Sequence, residues 1–489
     1  MPRSNPKPIA LALLLAFVGA SSMAQTPAAA HPMQAAAQKA IATNPEVNAR
    51  LNQLRAAVDA MDIARAGWRP QVNLEASAGA ERNRIDGRTP AERADQSRSG
   101  VALSLNQLLW DGGALSHELG RLGHDKLARY FELLDATEQT ALEASRAYQD
   151  VQRFRRLVEL AEDNYVQHRY ALQQIQARFK AGVGRGVDHE QALARLALAE
   201  SNLSTEVANL HDVTARYARI VGEAPPDKLP LAPTMAGAMP ASPGEAMAAA
   251  LKDNATLNAA IENLRAAREL ASQRRSALQP RVEARVRGGA GHNFDGISGQ
   301  RDNGTAQIVL NWSLYDGGAN QARIRQQARL VDQAADLRDK ACRDVRQNAA
   351  IAYNDTRKLQ EQLEALDRNV LAIEKARDAY RQQFEIGQRS LLDLLNAENE
   401  LYTARRAYAN AQYDLEIARL RTLATMHKLS AQLGLTRADV GAAVPEAERW
   451  DAGADVPQRC PVLVADVPTT PRSELDARAQ GLMKNAPQR

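Results

Sequence analysis

Aromatic residues are scarce in this chain: phenylalanine, tryptophan and tyrosine together make up 4% of its 489 residues. Large globular cores draw much of their buried area from aromatic side chains, so the composition does not favour them. Alanine, leucine, glutamine, arginine and glutamate are abundant instead, and these residues suit long helices. The composition therefore predicts extended helical packing.

Long hydrophobic runs are also missing. Residues 9–20 form an apolar run, which is shorter than the roughly 20 residues that a membrane-spanning helix requires. Arg3 and Lys7 precede this run, and Ser22-Met23-Ala24 follows it with the small-x-small pattern of a cleavage site. We interpret residues 1–24 as a secretory signal peptide. No cysteine lies near the cleavage site, which argues against a lipid anchor and leaves a bacterial envelope protein as the expectation.

Neither sign of charge predominates. The formal charge of +4 drops to +2 when Arg3 and Lys7 leave with the signal peptide, and basic and acidic residues are interleaved along the chain. A nucleic-acid footprint needs a one-sided basic patch, so a nucleic-acid partner is not expected.

Cysteine is nearly absent, since Cys342 and Cys460 are the two in the sequence. An envelope compartment permits disulfides. A bridge between them and a pair of partly buried free thiols both remain open.

The most informative feature is an internal duplication. Residues 100–113 and 305–318 are near-copies that end in Asp-Gly-Gly, and the two aspartates are 205 positions apart. These turns are Asp111, Gly112 and Gly113, and Asp316, Gly317 and Gly318. Three further pairs keep the same offset: Tyr148 and Tyr353, Phe179 and Phe384, and Asp188 and Asp393. The period is too long for a solenoid repeat.

The duplication predicts the domain organisation. After the signal peptide we expect a first structural repeat over residues 25–221, a proline-rich linker over 222–243 and a second repeat over 244–430. Each repeat reads as helix, β-hairpin, long helix and shorter helix. The tail, residues 431–489, has little periodicity and is expected to be loosely packed or disordered.

Four segments alternate apolar and polar residues with the period of a half-buried strand. They are residues 72–80, 100–109, 282–290 and 305–314, with predicted loops at 81–99 and 291–304. The polar faces carry Glu75, Glu283, Arg285, Arg287, Gln307 and Asn311.

The two long helices carry apolar residues at alternating steps of four and three, which is typical of a coiled-coil seam. The seam is broken at His168 in the first repeat and at Arg377 in the second. These positions correspond to Ile373 and Leu172, so neither break marks a site shared by the repeats. At 1.5 Å per residue, about 70 residues give roughly 100 Å of helix.

Strands with an apolar face, attached to helices too polar for lipid, are expected if the strands lie in an outer membrane and the helices project into the periplasm. Open sheet edges are costly in hydrocarbon. Four strands are too few for a barrel, which needs about eight, so several chains would share closure around a water-filled pore. The alternative is a periplasmic or surface coiled-coil scaffold without a pore.

These motifs, repeated in the same order in both halves over residues 31–430, resemble the TolC-like outer-membrane efflux and export proteins. The resemblance implies a mainly α fold with β structure: a homotrimer whose shared twelve-stranded transmembrane barrel continues into a coiled-coil helical barrel in the periplasm. It also implies a passive exit duct for type I secretion or tripartite efflux. The implied partners are a periplasmic adaptor protein, an inner-membrane transporter and outer-membrane lipid. The missing lipidation cysteine favours protein secretion.

The resemblance further implies a periplasmic gate at the helix-turn-helix tips. Arg389 is similar to the family's gating arginine, Asp188 stands where its acidic partner is found, and Asp393 matches an acid that rings the constriction. Phe384 replaces the family's tyrosine, and Asn396 replaces a second acid. Asp188 and Asp393 also lie near helix starts, where acids are stabilised by capping and by the helix dipole.

No catalytic arrangement, cofactor site or metal site is expected. His117 and His124 are seven positions apart on one helix. Without an acid or cysteine to complete a ligand set, the two histidines are interpreted as part of a solvated face.

Overall fold

The computed structural model describes residues 31–85, 92–293, 298–436, 444–464 and 467–484. The predicted signal peptide lies outside these ranges. The first repeat consists of α1 (Pro32–Thr43), α2 (Pro45–Ala66), β1 (Gln71–Ile85), β2 (Glu92–Trp110), α3 (Ala114–Lys180) and α4 (Gly186–Val221). The second consists of α5 (Pro243–Asp253), α6 (Ala255–Ser276), β3 (Arg281–His292), β4 (Gln300–Asn311), α7 (Ala319–Glu385) and α8 (Leu391–Thr425). The tail adds α9 (Leu429–Gln432), α10 (Val456–Arg459) and α11 (Arg472–Lys484).

The helical region that opens each repeat is divided at an asparagine. Proline 45 disfavours helical geometry in Asn44, whose ψ is 125°. The Asn44 side chain then accepts a hydrogen bond from the backbone N–H of Glu46 at 2.9 Å and caps α2. Asn254 has the same role before α6, where it accepts from the N–H of Leu257 at 3.2 Å. One continuous first helix was expected, and these caps explain why the structure has two.

The four strands form one antiparallel sheet in the order β1-β2-β3-β4. Each hairpin belongs to one repeat, and the pairing of β2 with β3 joins the two repeats. The register places Val72, Leu105, Val286 and Ala306 in one row across the sheet. Large apolar side chains on this face stay exposed in the chain: Val72, Leu74, Val101, Leu103, Val286, Ile308 and Leu310.

All four strands are longer than the alternation predicted. The expected loop at residues 81–99 is largely strand, because β1 extends to residue 85 and β2 begins at residue 92. Arg82 and Asp95 form an ion pair across this extension at 2.6 Å. Backbone pairing therefore continues where both faces are polar. β4 is also shifted along the chain: it begins at Gln300, inside the loop expected at residues 291–304, and it ends at Asn311, so Trp312 and Leu314 lie beyond it.

The long helices pair with the shorter helices that follow them, α3 with α4 and α7 with α8. A main apolar cluster joins α1, α3, α5, α7 and α8 at the level of Tyr148. The linker packs beside it, since the Tyr148 hydroxyl donates to the Pro230 carbonyl at 2.7 Å. Among the helices of the described ranges, none combines the length and the apolar character that a bilayer crossing needs.

The tail is not loosely packed where it returns to the helices. We call residues 444–460 the C-terminal strap. The Trp450 ring lies edge-on to Phe131 of α3 with centroids 4.7 Å apart, and its indole N–H donates to Glu262 of α6 at 2.7 Å. Cys460 forms a disulfide with Cys342 of α7, with Cα atoms 5.9 Å apart. The expectation of a loose tail is wrong here. The strap lacks helical periodicity, but aromatic packing and a covalent bond hold it against the helices.

The interpretation of His117 and His124 as a solvated face is also wrong. His124 contacts Glu262 at 2.7 Å and His117 contacts Glu269 at 2.8 Å. The glutamates are seven positions apart on α6, which packs along α3, so each histidine meets one of them. Among the described residues, no group of three or more His, Cys, Asp or Glu could hold a metal ion.

Glu262 is completely buried. Burial by itself would raise its pKa. Hydrogen bonds from His124 and Trp450, together with the charge of Arg265 at 2.6 Å, hold the pKa of Glu262 below its usual value of 4.5. Its carboxylate therefore joins α3, α6 and the strap.

We expect Glu262→Gln to loosen the strap. The amide keeps the size of the side chain but loses the charge-assisted bonds, and one such bond contributes about 1.5–3 kcal/mol. The pKa of Glu262 is lower in the folded chain than in the unfolded chain. This stabilisation is therefore complete at pH values above the unfolded-state pKa, and it is lost as pH falls through the folded-state pKa. Limited proteolysis of the strap should therefore become faster in the variant, and in the wild type only at acid pH.

Glu269→Gln is the matched control, because its partner His117 is 40% exposed and its loss should change strap proteolysis little. Equal proteolysis of wild type and Glu262→Gln at neutral pH would contradict the assigned role.

Replacing the disulfide should also destabilise the fold. The bond closes a loop of 118 residues, and a native disulfide commonly contributes about 2–4 kcal/mol. Cys342→Ser should lower the thermal unfolding midpoint, and added reductant should lower the wild type similarly while leaving the variant unchanged. If reductant left the wild-type unfolding midpoint unchanged, the disulfide would contribute nothing to stability.

Candidate gate at the helix-turn-helix tips

The two tips have closely similar backbone geometry. The first turn joins α3 to α4 and the second joins α7 to α8, and each passes through a left-handed glycine, Gly182 (φ 74°) and Gly387 (φ 77°). In the first, the N–H groups of Val183 and Gly184 donate to the Arg178 carbonyl at 3.1 and 3.0 Å. This is how a helix commonly ends when glycine accepts positive φ.

Asp393 takes part in the start of α8. Ser390 is the N-cap, and its hydroxyl accepts from the Asp393 N–H at 3.2 Å while donating to the Asp393 carboxylate at 2.9 Å. Asp188 lies in the first turn of α4, and within the described part of one chain it forms no hydrogen bond or ion pair. The capping interpretation thus accounts for Asp393 and leaves Asp188 available to another partner.

Arg389 is held within its own hairpin. Its guanidinium lies 3.7 Å from the Asp393 carboxylate, its Nε donates to Gln383 at 3.0 Å, and its Cζ lies 4.6 Å above the Tyr380 ring. The structure does not bring Arg389 to Asp188 within one chain. These contacts hold the guanidinium beside the turn that joins α7 to α8.

Phe384 and its repeat equivalent differ in environment. Phe384 is 6% exposed and packs among Leu172, Leu391 and Leu395, whereas Phe179 is 47% exposed. The Arg178 guanidinium lies 4.9 Å from the centroid of the Phe384 ring. Phe384 therefore ties α7 to α3 and α8 by packing, without the hydroxyl bond of the family's tyrosine.

Polar contacts also join the two hairpins near the tips. Asn396 accepts from the Arg195 guanidinium of α4 at 2.7 Å, and Arg381 of α7 donates to Gln167 of α3 at 3.0 Å. Asn396 thus has a cationic neighbour where the resemblance implied an acid ring. Separating the hairpins would break both contacts.

The two seam breaks lie near one buried acid, a convergence that sequence reasoning missed. Glu398 of α8 accepts from Arg377 at 3.2 Å and from Arg381 at 2.6 Å. His168 is 2% exposed; burial lowers its pKa, the nearby Glu398 opposes this shift and Arg195 adds to it. The breaks occupy different positions in their repeats, so the offset of 205 could not connect them.

A second missed feature does follow the offset. Asp150 of α3 lies 3.7 Å from Arg216 of α4, and Asp355 of α7 lies 3.5 Å from Arg421 of α8. Both members of the second ion pair stand 205 positions after those of the first. Each hairpin therefore carries the same ion pair, and comparing charged residues at this offset could have found it.

At the opposite end of the long helices, the strand-to-helix turns are also duplicated. Asp111 accepts from the N–H groups of Gly113 (3.1 Å) and Leu115 (2.8 Å), and Asp316 accepts from those of Gly318 (3.1 Å) and Asn320 (2.7 Å). Both glycines of each turn have positive φ: Gly112, Gly113, Gly317 and Gly318. The carboxylate satisfies backbone donors that a helix start leaves unpaired, so each turn fixes how a helix leaves the sheet.

Comparisons with known proteins agree with this architecture. Residues 36–223 and 246–426 match the family model described as outer membrane efflux protein. The chain is 30% identical to outer membrane efflux protein BepC of Brucella suis over 79% of its length and 84% of the relative. It is 23% identical to outer membrane protein TolC of Escherichia coli K12 over 86% of each. The solved structure of the outer-membrane channel OprN superimposes with a TM-score of 0.72 at 22% identity, covering 81% of this chain and 90% of that one.

Acid should destabilise the region around His168. Burial holds its pKa below the usual 6.5, so the unfolded chain takes up a proton at pH values where the folded chain does not. The resulting stability is present above about pH 6.5 and is lost as pH falls below it. The thermal midpoint should therefore fall between pH 7.5 and 5.5, and less so in His168→Ile, which introduces the side chain of Ile373.

His211→Gln is the control for this measurement, since His211 is 84% exposed and should leave the pH dependence unchanged. Equal pH profiles for wild type and His168→Ile would contradict the assignment.

Proposed function

The chain belongs to the outer membrane efflux protein family, and from this premise we propose that it is the passive exit duct of a type I secretion or tripartite efflux system. Family membership confirms the resemblance predicted from the duplicated motifs and places the protein in the outer membrane. The similarity to a solved outer-membrane channel confirms the mainly helical fold with one sheet. The closed trimeric assembly, the gate and the partners belong to the proposal.

The observation that carries the proposal is the sheet with one exposed apolar face and two open edges. In the described chain, β1 and β4 each pair with one neighbour, so half of their backbone groups face outward. Each unpaired group in hydrocarbon costs several kcal/mol. Three copies pairing β1 of one with β4 of the next would remove every edge and close twelve strands.

The opposite face of the sheet suits a water-filled interior. The register puts Gln71, Asn106, Arg285 and Gln307 in one row. Glu75, Glu283, Arg287 and Asn311 lie on the same face, as the alternation predicted. Such a face is expensive in lipid, so it lines the lumen when the apolar face meets the membrane.

The gate is proposed to form between neighbouring copies. Arg389 lies at the tip of one hairpin and Asp188 in the first turn of the other, so threefold assembly can bring Arg389 of one copy to Asp188 of the next. Three copies of Asp393 would ring the opening. Exposed ion pairs contribute about 0–1 kcal/mol each, so three make a lock of a few kcal/mol that contacts with a partner can open.

The duct itself is proposed to catalyse no reaction and to require no cofactor. A periplasmic adaptor and an inner-membrane transporter would supply energy and cargo selection. The name of BepC supports efflux, while the missing lipidation cysteine favoured protein secretion. Deleting the gene and measuring both drug sensitivity and the secreted proteins would separate these cargo classes.

We expect Arg389→Ser to open the tip, because it removes the cation from the proposed lock. Single-channel conductance in planar bilayers should rise, and cells should become more sensitive to large antibiotics. Arg329→Ser is the control, because Arg329 is 86% exposed on α7 and pairs with Asp332 of its own helix. Unchanged conductance and sensitivity would remove Arg389 from the gate.

Stable trimers that pass no ions, even after Asp188→Ala and Arg389→Ala are combined, would contradict the duct and support the non-pore scaffold.

A further inference from the structure

The C-terminal strap crosses the helices of its own chain in a definite order. It first contacts α3, where Glu446 pairs with Lys126 at 2.9 Å. It continues to α6, where the indole of Trp450 bonds the buried glutamate. It ends on α7, where Cys460 forms the disulfide. The strap therefore runs across the helices from α3 through α6 to α7.

This order of helices is also the order of the strands in the sheet. The chain passes from α2 into β1, from β2 into α3, from α6 into β3 and from β4 into α7. Neighbours in this series contact each other: α2 with α3, α3 with α6, and α6 with α7. In the described sheet β4 is an edge strand, so α7 ends the series on that side. A strap that crosses α3, α6 and α7 in turn is directed towards this edge.

The chain that follows the strap has little contact with its own helices. We call residues 461–464 and 467–484 the C-terminal arm. Its first residue, Pro461, accepts a hydrogen bond from Arg346 of α7 at 3.4 Å. Every residue from 467 to 480 is exposed, which includes most of α11. The arm is therefore attached to α7 at its start and is otherwise uncovered.

The arm exposes apolar side chains in both of its parts. Its extended part has four aliphatic residues that are 47–76% exposed: Val462, Leu463, Val464 and Val467. In α11, the positions of Leu475, Ala479 and Leu482 follow the spacing of a single apolar face, and both leucines are exposed. A helix of 13 residues is marginal in water by itself, so this face needs a partner surface.

We propose that the arm docks on α1 and α2 of a second copy of this chain. The inference rests on the proposed duct, in which β4 of one copy pairs with β1 of the next. That pairing puts α2 of the next copy beside α7, and packed helices lie about 8–10 Å apart. The eleven residues 461–471 can span roughly 36 Å when extended, which is enough to bring α11 onto the neighbouring copy.

Three arms would then link each copy to the next around the helical part of the assembly. The disulfide fixes the start of the arm on α7, so a copy held by the arm is held next to the β4 edge. The arm therefore supports the same contact between copies that closes the sheet.

Photo-crosslinking in intact cells tests the docking. Val467→p-benzoylphenylalanine places the reactive group in the extended part of the arm. After irradiation we expect an adduct with twice the mass of one chain, and its crosslinked peptide should map to residues 32–66. Glu448→p-benzoylphenylalanine is the control, because Glu448 is an exposed residue of the strap, which lies over its own chain. It should give no adduct between copies.

Two matched variants test the apolar face of α11 in the presence of the crosslinker at position 467. Leu475→Lys combined with Leu482→Lys should remove most of the adduct, because burial of a charge is costly. Ala477→Lys combined with Gln480→Lys adds the same charge on the opposite face of α11 and should preserve the adduct. Equal loss in both variants would overturn the docking, and so would adducts confined to one chain or to a protein of different mass.

Bilayer recordings on the purified wild type separate this inference from the proposed function. A conducting trimer whose crosslinker at position 467 gives no adduct between copies would overturn the docking and leave the duct intact. Absence of conductance would overturn the duct, while an adduct between copies that maps to residues 32–66 would still support the docking.

Discussion

Unsatisfied backbone groups at the edges of the sheet are the constraint on which the rest of the architecture depends. A four-stranded antiparallel sheet that exposes one apolar face cannot lie in lipid alone, because its edge groups have no water to bond. In the proposed assembly, pairing with further copies keeps the apolar face in lipid and the polar face in water. The strand-to-helix turns at Asp111 and Asp316 then direct two helices per copy away from the membrane in a repeated geometry.

The two repeats share the framework of turns and ion pairs, and they differ at the helix-turn-helix tips. The Asp-Gly-Gly turns and the Asp150–Arg216 and Asp355–Arg421 ion pairs are the same in both halves. The tips differ, since Phe384 is buried and Phe179 is exposed. The proposed gate therefore lies where the two repeats have diverged.

Much of the fold could be predicted because it depends on local periodicity. The 67-residue helices, the four strands and the glycine turns all follow from patterns within a few residues. The contacts that were missed depend on distant segments: His124 with Glu262, Trp450 with Phe131, and the two seam breaks with Glu398. A charge or an aromatic ring in the sequence does not reveal which helix it will face. The partner of Arg389 is harder still to predict, because the structure holds that side chain within its own hairpin.

The pairing of β2 with β3 also sets an order of events in biogenesis. Leu105 pairs with Val286, so the sheet needs both repeats before its central ladder can form, and contacts between such distant residues form slowly. Each hairpin made alone is a marginal structure. The sheet is therefore complete only once the chain has been made as far as the end of β4 at Asn311.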